Sequence, residues 1–231
     1  MPQGFFITID GTDGSGKTTQ TELLVERLRQ AGYAVETISF PRYGERSAAM
    51  VEDYLNGAFG SAEDVGPYRA SIFYAIDRYA ASTTIRRWLD EGKIVVSNRY
   101  VGASLGHQGG KISTPEERNR YFTWVYDLEY NIFGIPKPDV NIVLHVTPEI
   151  SQKLVDEKDA RAYLHGKSRD IHEDDLGHLA RAEATYLEIS RLFCQFHVIE
   201  CVSDGRLRAI QDIHNQIFAY AEEQIRSHPT P

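Results

Sequence analysis

The sequence predicts an α/β fold, in which a parallel β-sheet is covered on both faces by helices. Short runs of apolar and β-branched residues alternate with longer runs whose apolar residues recur at helical spacing. This alternation continues along the whole chain and favours a parallel sheet, because parallel strands need long crossover connections. No repeat, low-complexity tract or linker divides the 231 residues, so we expect a single domain over 1–231.

Five short runs are predicted to be the strands of this sheet: 5–9, 34–40, 93–98, 140–146 and 197–202. The first helix is predicted over 18–30, with Leu24 and Leu28 on one face and Gly32 ending it. Two later helices have the clearest periodicity. Their apolar positions are Leu176, Leu179, Ala182, Tyr186, Ile189 and Phe193 in one, and Leu207, Ile210, Ile213, Ile217 and Tyr220 in the other.

The composition is that of an ordinary globular protein with an acidic surface. Lysine and arginine together number 25 against 33 acidic residues, which gives a net charge of −8. This balance disfavours a nucleic-acid-binding protein, which would normally be basic. Two cysteines, the absence of a targeting pattern and the absence of a long apolar run predict a cytoplasmic protein that does not bind membranes.

A phosphate-binding loop follows the first predicted strand. Residues 11–18 match G-x-x-x-x-G-K-[ST] in full, and a helix is predicted directly after them. The backbone of such a loop directs N–H groups at phosphate oxygens, Lys17 reaches the β- and γ-phosphates, and the Thr18 hydroxyl binds Mg²⁺. The motif predicts a P-loop NTPase-type three-layer fold. The predicted ATP site consists of Gly11, Asp13, Gly14, Ser15, Gly16, Lys17, Thr18 and Thr19.

Other motifs narrow the class of P-loop protein. A GTPase would carry Asn-Lys-x-Asp, which is absent, and residues 136–139 match only the end of that motif. A motor or remodelling ATPase would end a later strand in an acidic pair, which is also absent. The sequence therefore favours a small-molecule kinase.

Three arginines are candidates for binding the acceptor phosphate. Arg42 and Arg99 each follow a predicted strand, and Arg78 lies in a helical segment four residues after Tyr74. Guanidinium groups suit phosphate recognition because they offer paired donors and stay charged. The alternative for each arginine is an ion-paired surface residue, and the alternative for Tyr74 is a core aromatic rather than a ring that stacks on a base.

This ordered set of motifs resembles the thymidylate kinases over nearly the whole chain. The matching segments are 6–20 with Asp13, 40–43, 74–78, 98–100, 107–109 and 134–139. The resemblance implies a five-stranded parallel sheet, a homodimer, and Mg²⁺-dependent transfer of the ATP γ-phosphoryl group to dTMP, giving dTDP. It also implies roles for five side chains. Asp13 would hold the 3′-hydroxyl, Arg42, Arg78 and Arg99 the phosphate and base edge, and Tyr74 would stack on thymine.

The resemblance also implies that Gln108 lies near the base. Two positions of this sequence depart from the family pattern. Asn98 replaces the Asp that is thought to assist the metal, and Ala103 stands where many members have Ser, although Ser104 follows directly. Neither change removes the chemistry, because an acceptor phosphate is already ionised near neutral pH and needs no general base.

A second cation at the transferring phosphate is expected from a mobile lid. The interior of the phosphate loop carries none, whereas the stretch at about 156–173, which resembles the family's lid, contains Lys158, Arg161, Lys167 and Arg169. We expect Arg161, and next Arg169, to act in catalysis with Lys17 and Arg99. The acidic run 170–175 is interpreted as a helix N-cap rather than a metal site.

Some alternatives remain open at this point. The chain could phosphorylate another nucleotide or a deoxynucleoside, or it could be a non-catalytic nucleotide-binding regulator. The histidines show no clustering in the sequence, and for them we expect structural or solvent-exposed roles.

Overall fold

The computed structural model describes residues 4–156 and 176–228, and five parallel strands form its central sheet. The strands are β1 (Phe5–Gly11), β2 (Val35–Ser39), β3 (Ile94–Asn98), β4 (Val140–His145) and β5 (Phe196–Glu200). Their order is β2-β3-β1-β4-β5, with every pair parallel. The predicted fold class is therefore confirmed.

Helices connect the strands and cover the sheet. They are α1 (Lys17–Gln30), α2 (Ala49–Leu55), α3 (Ala62–Asp90), α4 (Val101–Ala103), α5 (Pro115–Tyr126), α6 (Pro148–Asp156), α7 (Leu176–Leu192) and α8 (Ile210–Ser227). A 3₁₀ turn at Arg46–Ala48 precedes α2, and wider π-helical turns follow α4 (Ser104–Gln108) and α5 (Asp127–Ile132). A short antiparallel pair, β6 (Val202–Ser203) and β7 (Arg206–Leu207), lies beyond β5.

The apolar core has two layers because side chains alternate along each strand. Phe5, Ile7 and Ile9 of β1 pack with α1 and α8, whereas Phe6 faces the layer that contains Tyr121. All seven residues of β1 are buried, as expected for the central strand of a sheet with helices on both faces.

The structure corrects two boundaries near the C-terminus. The strand predicted over 197–202 ends at Glu200, because Val202 pairs instead with Leu207 in the antiparallel β6–β7 ladder. That pairing also places Leu207 in a strand, so the last helix begins at Ile210 and not at 207.

Long helix α3 is bent near its start, and this bend separates its capped first turn from the segment that reaches the sheet. Ser61 and Asp64 form a reciprocal capping box, and Gly66 has a φ of 72° just before Pro67. After the bend, α3 presents Tyr74 and Arg78 towards the carboxyl edge of the sheet, where both line a cavity.

Most of the predicted lid, 157–173, lies outside the described residues. Across 4–156 and 176–228, no helix has both the length and the apolar character needed to cross a membrane.

Candidate active site

The loop between β1 and α1 has the backbone shape of a phosphate-binding loop. Gly11, Gly14 and Gly16 have φ values of 144°, 81° and 84°, a region that residues with a Cβ rarely adopt. A Cβ on Gly14 would also collide with the backbone of Ser151 at the start of α6. The Ser151 hydroxyl donates to the Asp13 carbonyl, and this hydrogen bond connects α6 to the loop.

Lys17 and Thr18 begin helix α1 at the inner edge of this loop. The buried Lys17 ammonium donates to the Thr12 carbonyl at 2.7 Å, which fixes its charge inside the loop. The Thr18 hydroxyl accepts a hydrogen bond of 3.2 Å from the Asn98 side-chain amide. Thr19 is exposed and does not line the adjoining cavity.

A cavity of about 360 Å³ joins the loop to the carboxyl ends of β2 and β3. Eight of the fourteen predicted site residues in the described part of the chain line this cavity. It is lined by Asp13, Lys17, Thr18, Ser39, Phe40, Pro41, Tyr43, Leu55, Tyr74, Arg78, Asn98, Arg99, Ala103, Ser104, His107 and Gln108. The structure thus brings together residues that are up to 95 positions apart in the sequence (108 − 13).

Arg99 reaches the phosphate loop from the end of β3. Its φ is +66°, an uncommon value for a residue with a side chain, and its N–H donates to the Ile9 carbonyl at 2.9 Å. The guanidinium forms an ion pair with Asp13 and donates to His107 Nε2 at 2.9 Å. Burial opposes its charge, but the Asp13 carboxylate overcomes this and raises the pKa of Arg99 above its ordinary value.

Arg78 is buried and bound on several sides. It pairs with Glu129 and donates to the Tyr100 carbonyl at 3.2 Å and to Ser104 Oγ at 2.8 Å. Burial acts against the charge, yet Glu129 keeps the pKa of Arg78 above its ordinary value. Sequence reasoning missed Glu129, although a buried arginine requires an acidic partner from some other element.

Arg42 is the one predicted acceptor arginine that does not line the cavity. Its Nε donates to Asp77 at 3.0 Å and its Nη2 to Ser47 at 2.7 Å, beside the cavity residues Pro41 and Tyr43. Asp77 is buried and was not predicted, although it precedes Arg78 directly in the sequence.

Two histidines that are distant in the sequence meet in the fold. His107 Nδ1 lies 3.3 Å from His178 Nε2, and both side chains are buried at the rear of the cavity. His145 is also engaged, with Glu183 at 2.7 Å and Glu200 at 2.6 Å. These contacts join residues at least 38 positions apart, so no local pattern reveals them.

Asn98 has one atom whose hydrogen-bonding capacity is unused. Its buried Oδ1 has no hydrogen-bond partner among the described residues, while its Nδ2 contacts Thr18.

Two further observations concern other charged groups. Burial raises the pKa of the Asp10 carboxyl, and the Arg99 charge partly opposes that shift. The lid cations Lys158, Arg161, Lys167 and Arg169 lie outside the described residues.

We predict that Glu129→Gln lowers the free energy of unfolding by about 3 kcal/mol, because it leaves the Arg78 charge buried without its counter-ion. The matched control is Glu188→Gln, which breaks a more exposed pair with Arg118 and should cost less than about 1 kcal/mol. Urea unfolding of both variants measures the difference. Equal losses would mean that the Arg78 charge is not sustained by Glu129.

Comparison with known proteins places this geometry in a family. A thymidylate kinase family model matches residues 9–217. Thymidylate kinase from Mycobacterium tuberculosis is 31% identical over 80% of this chain and 85% of its own. A probable thymidylate kinase from Pyrococcus horikoshii is 28% identical over 96% and 98% of the two chains.

A solved structure agrees in fold. The structure of thymidylate kinase from Candida albicans superposes with a TM-score of 0.75, at 19% identity over 97% of this chain and 95% of that chain. That likeness supports the three-layer fold, and the family match extends over nearly all of the elements that build the cavity. The chain belongs to the thymidylate kinase family.

Proposed function

We propose that this chain transfers the γ-phosphoryl group of ATP to dTMP, forming dTDP. One observation carries the proposal: a single cavity connects Lys17 and Thr18 of the phosphate loop with Tyr74, Arg78 and Arg99. Phosphoryl transfer requires a donor site and an acceptor site that meet in one cavity. Membership of the thymidylate kinase family supports the identity of the acceptor.

The residues of this chain act mainly by positioning and by neutralising charge. The loop N–H groups and Lys17 bind the ATP phosphates, and Arg99 binds the acceptor phosphate beside Asp13. The acceptor phosphate is already ionised near neutral pH, so no side chain needs to remove a proton. We keep Asp13 as the partner of the 3′-hydroxyl, since its carboxylate lines the cavity next to Arg99 with 16% of its side chain exposed.

The opposite end of the cavity suits the edge of a thymine base. Four of the five Arg78 N–H groups are directed at described residues: Nε and one Nη2 hydrogen at Glu129, the other Nη2 hydrogen at Ser104, and one Nη1 hydrogen at the Tyr100 carbonyl. One Nη1 donor therefore remains among the described contacts. The buried Gln108 Oε1 has no hydrogen-bond partner within the described residues and can accept from a base N–H. The Arg78 donor would favour a carbonyl at the edge of thymine over the amino group of cytosine. Tyr74 offers a ring that can stack on the base.

Magnesium fits the residues beside the phosphate loop. Among the described residues no three His, Cys, Asp or Glu side chains converge to hold a metal. Mg²⁺ in kinases, however, is held largely by phosphates and water with few protein ligands. The Thr18 hydroxyl and the unpaired Asn98 Oδ1 would provide such contacts. When bound, the ion neutralises charge on the transferring phosphates.

We further propose a homodimer that forms through α3. Tyr68, Ile72, Ile76 and Tyr79 share one face of that helix, and each is 37–54% exposed. An exposed apolar stripe of this kind is typical of a protein interface, and the family resemblance favours a second copy of the same chain as the partner.

The remaining proposals concern organisation and location. We propose one domain over 1–231 with a lid at about 156–173, in which Arg161 or Arg169 supplies the second cation during transfer. Free Cys194 and Cys201 are compatible with a reducing cytoplasm, where we place the protein.

A panel of acceptors with ATP and Mg²⁺ tests the function: dTMP, dUMP, dCMP, dAMP, dGMP and thymidine. We expect the highest kcat/KM with dTMP, and a fall of at least about 10³-fold in Lys17→Ala because a cation at the β- and γ-phosphates is lost. Turnover of thymidine in preference to dTMP would replace the proposal with a nucleoside kinase. Tight ATP binding without any product would replace it with a regulator.

Asn98→Asp tests the metal contact. A carboxylate beside Thr18 should lower the Mg²⁺ concentration needed for half-maximal activity by several-fold, while KM for dTMP changes by less than about twofold. The measurement is a Mg²⁺ titration at saturating nucleotide concentrations. Identical titration curves for both proteins would remove Asn98 from the metal site.

Sedimentation equilibrium at micromolar concentration tests the dimer. We expect twice the chain mass of 26.2 kDa, and a monomer for Ile76→Asp because it places a charge in the exposed stripe. Ile210→Asp, at a similarly exposed apolar position on α8, is the control and should remain dimeric. A monomeric wild-type protein would refute the homodimer.

A further inference from the structure

Two imidazoles form a chain behind Arg99. His107 lies on the π-helical turn after α4, and His178 lies in the first turn of α7. Their rings are 5.5 Å apart between centroids with an interplanar angle of 22°. Both are buried, with 8% and 3% of their surfaces exposed, so their hydrogen bonds are shielded from water.

The donor chemistry of Arg99 determines where the protons of this chain lie. A guanidinium has only N–H donors, so His107 Nε2, at 2.9 Å from Arg99 Nη1, must be the acceptor and carry no proton. A neutral His107 therefore has its proton on Nδ1, which donates to His178 Nε2 at 3.3 Å. The order of donation is Arg99 to His107 to His178, and His107 is neutral.

Tight packing holds His107 in this position. The ring of Tyr186 meets His107 edge to face, with 5.7 Å between centroids. Gly106 allows the approach, because a Cβ there would lie 2.5 Å from the Tyr186 ring. Gly110, two residues after this turn, allows the chain to pass the backbone of α7, where a Cβ would lie 3.0 Å from Arg181. His107 thus has little freedom to follow Arg99 if the guanidinium turns away.

Arg99 has competing acceptors on the side of the phosphate loop. Its Nη2 pairs with the Asp13 carboxylate, and its Nη1 lies 3.5 Å from the Gly11 carbonyl as well as 2.9 Å from His107. The His107 bond is the contact that opposes full rotation of the guanidinium onto Asp13. Without that bond, fewer N–H groups would stay directed at the space that an acceptor phosphate enters.

We propose that His107 is a positioning residue for Arg99, and that His178 fixes the His107 tautomer that accepts from the guanidinium. The inference rests on the proposed role of Arg99 in binding the acceptor phosphate. It connects α7, which follows the predicted lid in the sequence, to that arginine through the hydrogen bonds of His107.

The charges around His107 favour its neutral form. Burial, followed by the positive charge of Arg99, lowers the pKa of His107 well below 6.5, while Asp13 acts in the opposite direction. His178 and Lys17 add to the lowering from α7 and α1. The unfolded chain therefore takes up a proton at His107 near pH 6.5 before the folded protein does, and this stabilising contribution declines as pH falls below that value.

Two substitutions at the same position separate positioning from packing. In His107→Gln, Oε1 can replace Nε2 as the acceptor for Arg99, whereas His107→Leu has similar bulk and no acceptor. We expect His107→Leu to lose about 10- to 100-fold in kcat/KM for dTMP, with KM for ATP within about twofold, because Arg99 is misplaced. His107→Gln should retain activity within about threefold of the wild type. Equal activity of the two variants would overturn the proposal.

A double-mutant cycle with Arg99→Lys distinguishes failure of this inference from failure of the Arg99 assignment. If Arg99 binds the acceptor phosphate and His107 acts through it, Arg99→Lys alone is strongly impaired, and adding His107→Leu costs little more. Independent, multiplying losses would refute the connection. A silent Arg99→Lys would refute the role of Arg99 itself, and the inference with it.

Stability measurements provide a readout that does not depend on activity or on folding of the leucine variant. The Tm advantage of the wild type over His107→Gln should shrink between pH 7.5 and pH 5.5, because only the wild type loses the contribution of a neutral His107. In a separate activity measurement, His178→Gln, which keeps an acceptor for His107, should preserve kcat, and His178→Leu should reduce kcat several-fold. A constant Tm difference across that range would contradict a neutral His107.

Discussion

The site depends on the contact between Arg99 and the phosphate loop. Arg99 follows β3, Asp13 lies after β1, and the two strands are neighbours in register, with Ile9 paired to Asn98. The uncommon backbone conformation at Arg99 directs its side chain back across β1, and the Ile9 carbonyl holds that conformation. With this conformation the guanidinium lines the same cavity as Lys17.

Each buried or half-buried arginine of the site has an acidic partner from another element. Glu129 pairs with Arg78, Asp77 with Arg42, and Asp13 with Arg99. Burying a guanidinium without a partner would cost several kcal/mol, so these acids keep the charged groups compatible with an apolar interior. They also direct the remaining N–H groups, and rigid donors that are set before a ligand arrives are an important source of electrostatic stabilisation in phosphoryl transfer.

Small residues allow the other elements to approach the site closely. Gly14 lets the phosphate loop lie against the backbone of α6, and Gly106 lets the turn after α4 lie against Tyr186 of α7. The part of the cavity around Ser104 is therefore built from backbone contacts and buried rings, with Tyr121 donating to the Ser104 carbonyl at 3.0 Å. Such packing leaves few alternative positions for Arg78 and His107, which is what a site that acts by positioning requires.

The sequence by itself determined the strands and the phosphate loop through local periodicity and turn chemistry, and it indicated the cavity residues Tyr74, Arg78 and Arg99. The resemblance of its motifs to the thymidylate kinases implied the cavity residues Ser104 and Gln108. Only the tertiary structure decided which side chains form ion pairs and hydrogen bonds with these site residues. Glu129 meets Arg78 across 51 positions, Asp77 meets Arg42 across 35, and His178 meets His107 across 71. Hydrogen bonds and ion pairs depend on distances of about 3 Å between atoms. Such distances are set by how α3, α5 and α7 pack on the sheet, which no local pattern encodes.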